Sequence, residues 1–408
     1  MKHKLYKLTA ALLLALLLVS AASAAGGDGT AENPYIIQTP AELQSMQNDL
    51  SAYYVLANDI DMSGFDFVPI GSSSNPATTA FHGSLDGNGH TIRNLNIDLP
   101  STQYVGLFSV ITAGTTIKNL KFADCTISGA ADTAVLIGRC IGISGVSSQV
   151  TIDNIDMSDC TVISSKSHAG NVAGAFTTST MGVVSNCDIS NCTVTASDDE
   201  AGNVAGYVAS GASNVQIRYC TVENCVAEST SGSNVGNVAG YVAYGASSIG
   251  MISQCEVISC HAKASDSYVG NVAGFIAYGA SSIGMISQCE VISCHAKASA
   301  SYVGNVAGNV ANSAGNGTIQ ETVVENCIST SGSSAGNVVG FITYSTANGN
   351  ISDCTVENCT VKARSSYAGG IAGCSYASGF ASIENCAVSN TTVLASSYAG
   401  GICSTFTR

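Results

Sequence analysis

Several residue types are scarce in this 408-residue sequence. It has no tryptophan and five prolines, and only 10% of its residues are charged. Because so few side chains carry charge, most of the surface must consist of Ser, Thr, Asn and Gly. Positive charge is the scarcer sign, since 14 Lys and Arg stand against 28 Asp and Glu, for a net charge of −14. Such an acidic chain should repel nucleic acid and anionic lipid, so neither is expected as a partner.

Long hydrophobic runs are missing after the N-terminus, where no stretch reaches the roughly 18 apolar residues that predict a membrane-spanning helix. The N-terminus itself has a basic start, an apolar run of about ten residues and then Ala22-Ser23-Ala24. This pattern is typical of a secretory signal peptide, here residues 1–24. A membrane anchor is the alternative, but the apolar run is short for one. We therefore expect a secreted or cell-surface protein whose mature chain does not insert into a membrane.

A glycine motif recurs through the chain at intervals of about 34 residues, which indicates an internal repeat. A 23-residue segment, AYGASSIGMISQCEVISCHAKAS, is present in identical copies at 243–265 and 277–299. The sequence is thus about nine or ten copies of one unit, and the identical pair is a recent duplication. The motif GNVAG and its close variants begin at Gly170, Gly202, Gly236, Gly270, Gly304 and Gly336, with degenerate forms at Gly369 and Gly400.

Between the glycine motifs, apolar residues, Thr and Cys alternate with polar residues, as in ISDCTVENCTV from Ile351. This period of two predicts short strands with one buried face, and no long amphipathic helix is indicated after residue 50. Short strands at one fixed period predict an all-β fold, a parallel β-helix (β-solenoid) of about ten coils of roughly 34 residues each. A right-handed coil follows from the general preference of parallel connections. An added coil would lengthen such a stack without demanding new packing.

Most of the 17 cysteines fall into two columns, with one member per repeat. Two cysteines of one coil lie about 16 Å apart along an extended chain, too far to bridge, whereas stacked cysteines lie about 4.8 Å apart. Reduced ladders in the core are favoured over inter-coil disulfides, because in-register side chains point the same way. The C-x4-C spacing does not fit zinc, so no cofactor is predicted. The unbroken column consists of Cys125, Cys160, Cys192, Cys225, Cys260, Cys294, Cys327 and Cys359.

Asparagine occupies the second position of the glycine motif in six coils. Asn tolerates left-handed backbone and can hydrogen-bond to the same residue above and below it, so we predict a structural ladder at a corner of the coil. The members are Asn171, Asn203, Asn237, Asn271, Asn305 and Asn337.

An aromatic column consists of Tyr207, Tyr241, Phe275 and Phe341. If these side chains point outward, they form a flat stripe suited to sugar rings or a partner surface; if they point inward, they belong to the core. The strand NVAGYVAY is apolar on both faces, so both alternatives stay open.

Acidic residues also recur. Glu223, Glu256, Glu290, Glu325 and Glu357 are predicted to align, one per coil. A ladder of like charge is typical of a solvated strand face, and weak Ca²⁺ binding is the alternative, because stacked carboxylates repel unless a cation bridges them. Glu200 is not expected to align with partners in neighbouring units, and His168 is regarded as scattered. No catalytic or metal-binding residue is therefore predicted.

Residues 25–100 differ from the repeats at 101–408 and are predicted to form an N-terminal cap. Thr39 followed by Glu42 predicts the start of one short helix in it. The segments YYVLANDIDMSG, FHGSLDGNGHTIRNLNI and YVGLFSVI, with the later GNVAGYVAYG and ISQCEVISC, resemble exported proteins that carry GLUG motifs, a group similar to pectin-lyase-like β-helices. In this chain Asn replaces one Gly of the motif and Val-Ala replaces Leu-Val. The resemblance implies a surface or secreted protein, often an adhesin, and implies location more than activity.

Together these patterns favour a non-enzymatic secreted or cell-surface scaffold, used in adhesion or surface structure, that binds glycan or protein partners. The first alternative is a polysaccharide-acting β-helix enzyme (lyase or glycosidase), which would need carboxylates converging from adjacent coils on one outer face. The second is a carbohydrate-binding module that uses the aromatic column. The last unit stops part way round a coil at GGICSTFTR, so the chain either is truncated or associates end to end through an open strand edge.

Overall fold

The structure, a computed structural model, describes residues 26–377, 380–404 and 406–407. The predicted signal peptide at 1–24 lies outside the described residues. Every pairing between named strands is parallel, and each strand pairs with the equivalent strand one repeat further along the chain. The predicted all-β parallel solenoid of about ten coils is confirmed, since two of its sheets contain ten strands each within the described residues.

From residue 84 onward, each coil crosses four sheets in the same order. Sheet 1 contains two short strands from most coils and consists of Tyr35–Ile37, Tyr53–Leu56, Ile60–Asp61, Ser84–Asp86, Thr91–Arg93, Thr116–Ala123, Val150–Ser158, Met181–Ser185, Asp188–Ser190, Asn214–Arg218, Thr221–Glu223, Ile249–Ser253, Glu256–Ile258, Ile283–Ser287, Glu290–Ile292, Asn316–Gln320, Val323–Glu325, Asn348–Ser352, Thr355–Glu357, Ala381–Glu384 and Ala387–Ser389. Sheet 2 consists of Asn96–Asp98, Thr126–Gly129, Thr161–Ser164, Thr193–Ala196, Val226–Ser229, His261–Ala264, His295–Ala298, Ile328–Ser331, Thr360–Ala363 and Thr392–Ala395.

The chain then enters sheet 3, a narrow ladder, and sheet 4, whose strands begin at the end of the glycine motif. Sheet 3 consists of Gln103–Val105, Ala131–Ala134, Ala169–Gly170, Ser334–Gly336, Tyr367–Gly369 and Tyr398–Gly400, joined by single bridges at Ala201, Val235, Val269 and Val303. Sheet 4 consists of Phe108–Thr112, Ile137–Ile141, Ala173–Thr177, Ala205–Ser210, Ala239–Tyr244, Ala273–Tyr278, Ala307–Asn312, Val339–Ser345, Ala372–Ala377 and Phe406–Thr407.

Short helices occur only near the N-terminus within the described ranges. Helix α1 (Pro40–Ser45) begins with the predicted capping box, in which the Thr39 hydroxyl accepts from the Glu42 amide and the Glu42 carboxylate accepts from the Thr39 amide. A 3-10 turn, Met46–Asn48, follows it. A second helical turn, α2 (Pro76–Thr79), was not predicted. No helix in the described ranges has the length and apolar character needed to cross a membrane.

Corners between the flat faces are made by single residues in the left-handed region. Asn186 and Asn191, for example, both have φ of +53° and directly precede Cys187 and Cys192. Asn adopts this conformation more readily than most residues, which explains why Asn, Asp or Gln so often stands before Cys in the repeat. Each corner turns the following cysteine inward, where its side chain joins the buried core.

The core runs the length of the stack, and equivalent residues of successive coils lie directly on one another. In the duplicated segment Ala243 pairs with Ala277 and Ile252 with Ile286, so two identical coils pack directly on each other. Sheet 3 lies close against the outer side of sheet 4: a Cβ added to Gly240 would come within 2.7 Å of the carbonyl oxygen of Asn234 and of the Glu200 Cα. Only glycine permits this approach. The residues at the start of sheet 3 are therefore held beside the outward side chains of sheet 4.

Candidate functional site

The aromatic column predicted from the sequence is packed, not open. The rings of Tyr207, Tyr241 and Phe275 stack on one another, with centroid separations of 5.4 and 4.9 Å. They form a cluster separate from the main core, and their exposed fractions are only 3–7%. Asn309 interrupts the column before Phe341, which is fully buried. These four residues thus do not form an accessible stripe along the rod.

An exposed aromatic pair lies three residues further along the same strands. Tyr244 is 44% exposed and stacks on Tyr278, with ring centroids 5.2 Å apart and planes inclined by 8°. The equivalent position is Ser210 in the coil before Tyr244 and Asn312 in the coil after Tyr278. This pair was not predicted from the sequence, although its signal, a Tyr at the end of each duplicated strand before Gly-Ala-Ser, is visible in the repeat.

A second file of polar side chains runs beside the aromatic column, where the chain enters sheet 3. His168 lies between two carboxylates: its Nδ1 is 2.5 Å from Asp132 Oδ1, and its Nε2 is 3.4 Å from Glu200 Oε2. Asn234 donates to Glu200 Oε1 at 3.3 Å. Asp132, His168, Glu200 and Asn234 thus form a line of polar contacts across four successive coils, with a hydrogen bond at each end and the His168–Glu200 ion pair between them.

Arg139 enters this line from sheet 4. Its Nε donates to Asp132 Oδ2, its Nη1 donates to Tyr104 Oη at 3.2 Å, and its guanidinium carbon lies 4.4 Å from the centre of the Tyr104 ring. The Asp132 side chain has no exposed surface, so a buried carboxylate is held between a guanidinium and an imidazole. Such a group needs both partners, because an unpaired buried charge is costly.

Burial and these neighbours shift two pKa values in the line. Burial alone would lower the pKa of His168, but the hydrogen bond and charge of Asp132, with the charge of Glu200, raise it overall above its ordinary value. Burial raises the pKa of Glu200 to about 7, although the attraction of His168 opposes that shift. Glu200 therefore exchanges its proton near neutral pH.

These side chains line a cavity of about 470 Å³ on the outer side of sheet 4. It lies where the outward column passes from Arg139 through the buried Ala175 to Tyr207. The lining residues are Arg139, His168, Thr177, Thr178, Glu200, Tyr207, Ser210 and Tyr244.

This arrangement corrects the sequence interpretation of His168 as scattered and of Glu200 as unaligned. Thr133 pairs with Ala169, and Ala169 with Ala201, so the residues before them stack. Aligning the repeats on the glycine motif would have revealed the file, because His168 and Glu200 each stand two residues before its first glycine. Chemically, the cavity offers an imidazole, a titrating carboxyl, hydroxyl groups and two tyrosine rings to a polar ligand.

Most of the cysteines directly follow a left-handed corner residue, which turns their side chains toward the core. Sixteen of the 17 are free thiols, and of these only Cys386 is partly exposed. In the unbroken column the amide of Cys160 donates to Cys192 Sγ at 3.4 Å, and the amide of Cys192 donates to Cys225 Sγ at 3.3 Å. The same contact repeats up to Cys359, so the sulfur atoms form a continuous file without bridges.

The asparagines of the glycine motif form an amide ladder with one polarity. Each Nδ2 donates to the Oδ1 of the next coil, at 2.8–3.2 Å. Asn171 Oδ1 and Asn337 Nδ2, at the two ends, are buried without a hydrogen-bond partner. The backbone at these residues is not left-handed, so their role is the ladder itself; left-handed corners lie instead before the cysteines and at the start of sheet 3, as at His168 and Glu200.

The predicted single file of five glutamates is wrong. Glu256 pairs with Glu290, whereas Glu223 pairs with Ile258, and Glu325 pairs with Ile292 and Glu357. The glutamates occupy two positions, two residues apart on the same outward side of the strand, so the charges are spread over two files. In the part of the chain that the structure describes, no cluster of three or more His, Cys, Asp or Glu side chains is arranged to hold a metal ion.

The fold and this site define a parallel β-solenoid with a polar, aromatic-lined cavity on an outer face. Halomucin from Haloquadratum walsbyi is 34% identical over 143 residues, which are 32% of this chain and 2% of halomucin. A proposed Gly-rich membrane protein from Evansella cellulosilytica is 34% identical over 140 residues, 32% of this chain and 15% of that protein. The matched segment thus spans a small fraction of either relative.

Two solved structures are also similar in part. A proposed immunoglobulin A1 protease from Bacteroides ovatus has 16% sequence identity and a TM-score of 0.36, with 93% of this chain and 86% of that chain covered. Endo-xylogalacturonan hydrolase from Aspergillus tubingensis has 11% identity and a TM-score of 0.25, with 83% and 99% covered. No protein-family model matches the sequence.

Proposed function

We propose that this chain is a non-enzymatic scaffold, secreted or held at the cell surface, that serves in adhesion or surface structure and binds glycan or protein partners. The observation that carries this proposal is the self-stacking of the duplicated coil, in which Ile249, Met251 and Glu256 pair with their own copies. A whole coil was added without a new packing arrangement, which suits a rod whose length is its useful property.

The location rests on the signal-peptide pattern and on the resemblance to exported GLUG-motif proteins, and the names of the two partial relatives support it. Expression in a secreting host tests it directly. N-terminal sequencing of the exported protein should begin at Ala25, and retention of the leader in the membrane fraction would contradict an exported scaffold.

The enzymatic alternative needs a separate test, because the carboxyl group of Glu200 reaches the cavity and lies beside His168, which also contacts the buried carboxylate of Asp132. The purified protein is incubated with a panel of neutral and uronic-acid polysaccharides, and released reducing ends and unsaturated products are measured. The scaffold proposal expects no release. Product formation that is lost in Glu200→Gln would overturn it and would identify the cavity as an active site.

A further inference from the structure

The cavity beside Arg139, His168 and Glu200 has the features of a binding site for one ligand class. We infer that it binds a neutral saccharide unit of a glycan, by hydrogen bonds from its polar floor and by contact with the tyrosine rings at its mouth. The inference rests on the proposed function in one respect, namely that the sugar is bound and not cleaved.

The charges of the site favour a neutral ligand over an anionic one. Arg139 and His168 both contact Asp132, and His168 also faces Glu200, so the two cationic groups are matched by two carboxyl groups. Asp199 lies next to Glu200 and raises its pKa further, which shows that negative charge is close by. In a chain with a net charge of −14, a uronate or sulfated sugar would meet repulsion without an uncompensated cation to bind it.

The shape and chemistry of the walls favour a sugar ring. The Tyr207 and Tyr244 rings meet edge to face, with centroids 6.0 Å apart, and both line the cavity. An aromatic ring provides an apolar surface for the C–H face of a pyranose, while hydroxyl and carboxyl groups pair with its hydroxyls. Glu200 is 13% exposed and His168 25%, so both reach the cavity. Its volume of about 470 Å³ lies within the roughly 300–1,000 Å³ of small-ligand sites.

The site occurs at one position of an otherwise repetitive rod. Arg139 and Ala175 occupy the outward column where the next three coils have Tyr207, Tyr241 and Phe275, and those rings fill the corresponding space. The departure from the repeat is therefore local, and it coincides with the polar line of Asp132, His168 and Glu200.

The experiment measures binding of methyl glycosides of glucose, galactose, mannose and N-acetylglucosamine, and of glucuronic and galacturonic acid, to the full chain by saturation-transfer NMR and calorimetry. Ser210→Tyr is the blocking variant. Ser210 lines the cavity and is in register with Tyr244, so a tyrosine there extends an existing stack over the cavity mouth. Asn312→Tyr extends the same stack at its other end, away from the cavity, and is the matched control.

At least one neutral glycoside is expected to bind, with affinity reduced at least tenfold in Ser210→Tyr and unchanged within twofold in Asn312→Tyr. Glu200→Gln, which keeps the shape of the side chain, is expected to lose about tenfold, as for removal of a hydrogen bond from a charged group. Binding of the uronates alone, binding of no sugar, or equal binding by Ser210→Tyr would overturn the inference. The scaffold proposal fails on a different result, the release of products from polysaccharides.

Discussion

Replacing Asn237 by alanine isolates the contribution of the buried amide ladder. The Asn237 side chain accepts from Asn203 Nδ2 at 2.8 Å and donates to Asn271 Oδ1 at 2.9 Å, and it has no exposed surface. Its backbone amide bonds to Asn271 O at 2.8 Å, and its φ is not positive, so alanine fits the same backbone. The change therefore removes the side-chain contacts and leaves the coil path intact.

The magnitude follows from the two groups that lose their partners. Asn203 Nδ2 and Asn271 Oδ1 stay buried without a hydrogen bond, and each such group costs about 1–3 kcal/mol. We expect Asn237→Ala to lower the free energy of unfolding by about 2–6 kcal/mol. Asn171→Ala, at the end of the ladder, removes the already unmatched Asn171 Oδ1 and leaves Asn203 Oδ1 unmatched in its place, so it should cost only about 1 kcal/mol, the net value of one hydrogen bond.

Asn316→Ala is the matched control, because Asn316 Oδ1 accepts from Asn348 Nδ2 at 2.8 Å between adjacent coils, but on an exposed face. Its loss should cost less than about 0.5 kcal/mol, as for most surface substitutions. The assay is urea unfolding followed by circular dichroism, with hydrogen exchange of Gly236–Ala239 to detect local opening, since stacked coils need not unfold in two states. A loss for Asn237→Ala no larger than that for Asn316→Ala would refute the reasoning.

Three further predictions follow from the geometry. Thiol titration in denaturant without reductant should report at least the 16 cysteines other than Cys403, and a lower number would show that bridges had formed. Glu200 has its pKa raised from 4.5 to about 7 in the fold, with Asp132, Arg139, His168 and Asp199 around it. Folding therefore favours the protonated form of Glu200. The free energy of unfolding should fall by about 3 kcal/mol as pH rises from 4.5 through 7. Calorimetry at pH 5 and 8 should find a smaller fall in Glu200→Gln. A larger fall in the variant would contradict this sign. Deleting residues 250–283, one 34-residue repeat, should give a folded rod whose ellipticity per residue is unchanged. Deleting the half-repeat 250–266 should disrupt folding. Equal behaviour of the two deletions would contradict coil-by-coil stacking.

The fold was predictable because its determinants repeat. The glycine motif recurs at a nearly constant interval, and Val222, Val257 and Val291 show how one inward position is copied from coil to coil. A capping box also predicted helix α1 correctly, since its signal is local. The turn at Pro76–Thr79 was missed because it has no side-chain cap bond and buries no residue, so the sequence carries no periodic signal for it.

The candidate site was harder to predict because it depends on departures from the repeat. Arg139, Ala175 and His168 each occur once in their columns, so a search for recurring residues passes over them. The alternation of apolar and polar residues did not give the orientation of Tyr207 either. Val208 faces the core and sheet 3 covers Tyr207 from outside, so both faces of this strand are apolar. The glutamate alignment failed because positions two residues apart share one side of a strand, and sequence spacing alone does not distinguish them.

The amide ladder has a consequence for how such a chain changes over generations. Its only unmatched atoms are the first oxygen and the last nitrogen, and inserting another asparagine-bearing coil between them supplies one donor and one acceptor that satisfy each other. The penalty at the two termini of the file is thus constant, whatever the number of rungs. Unequal recombination between near-identical gene segments can therefore produce longer or shorter rods of similar stability, and length becomes a trait that can drift or be selected without redesigning the interior.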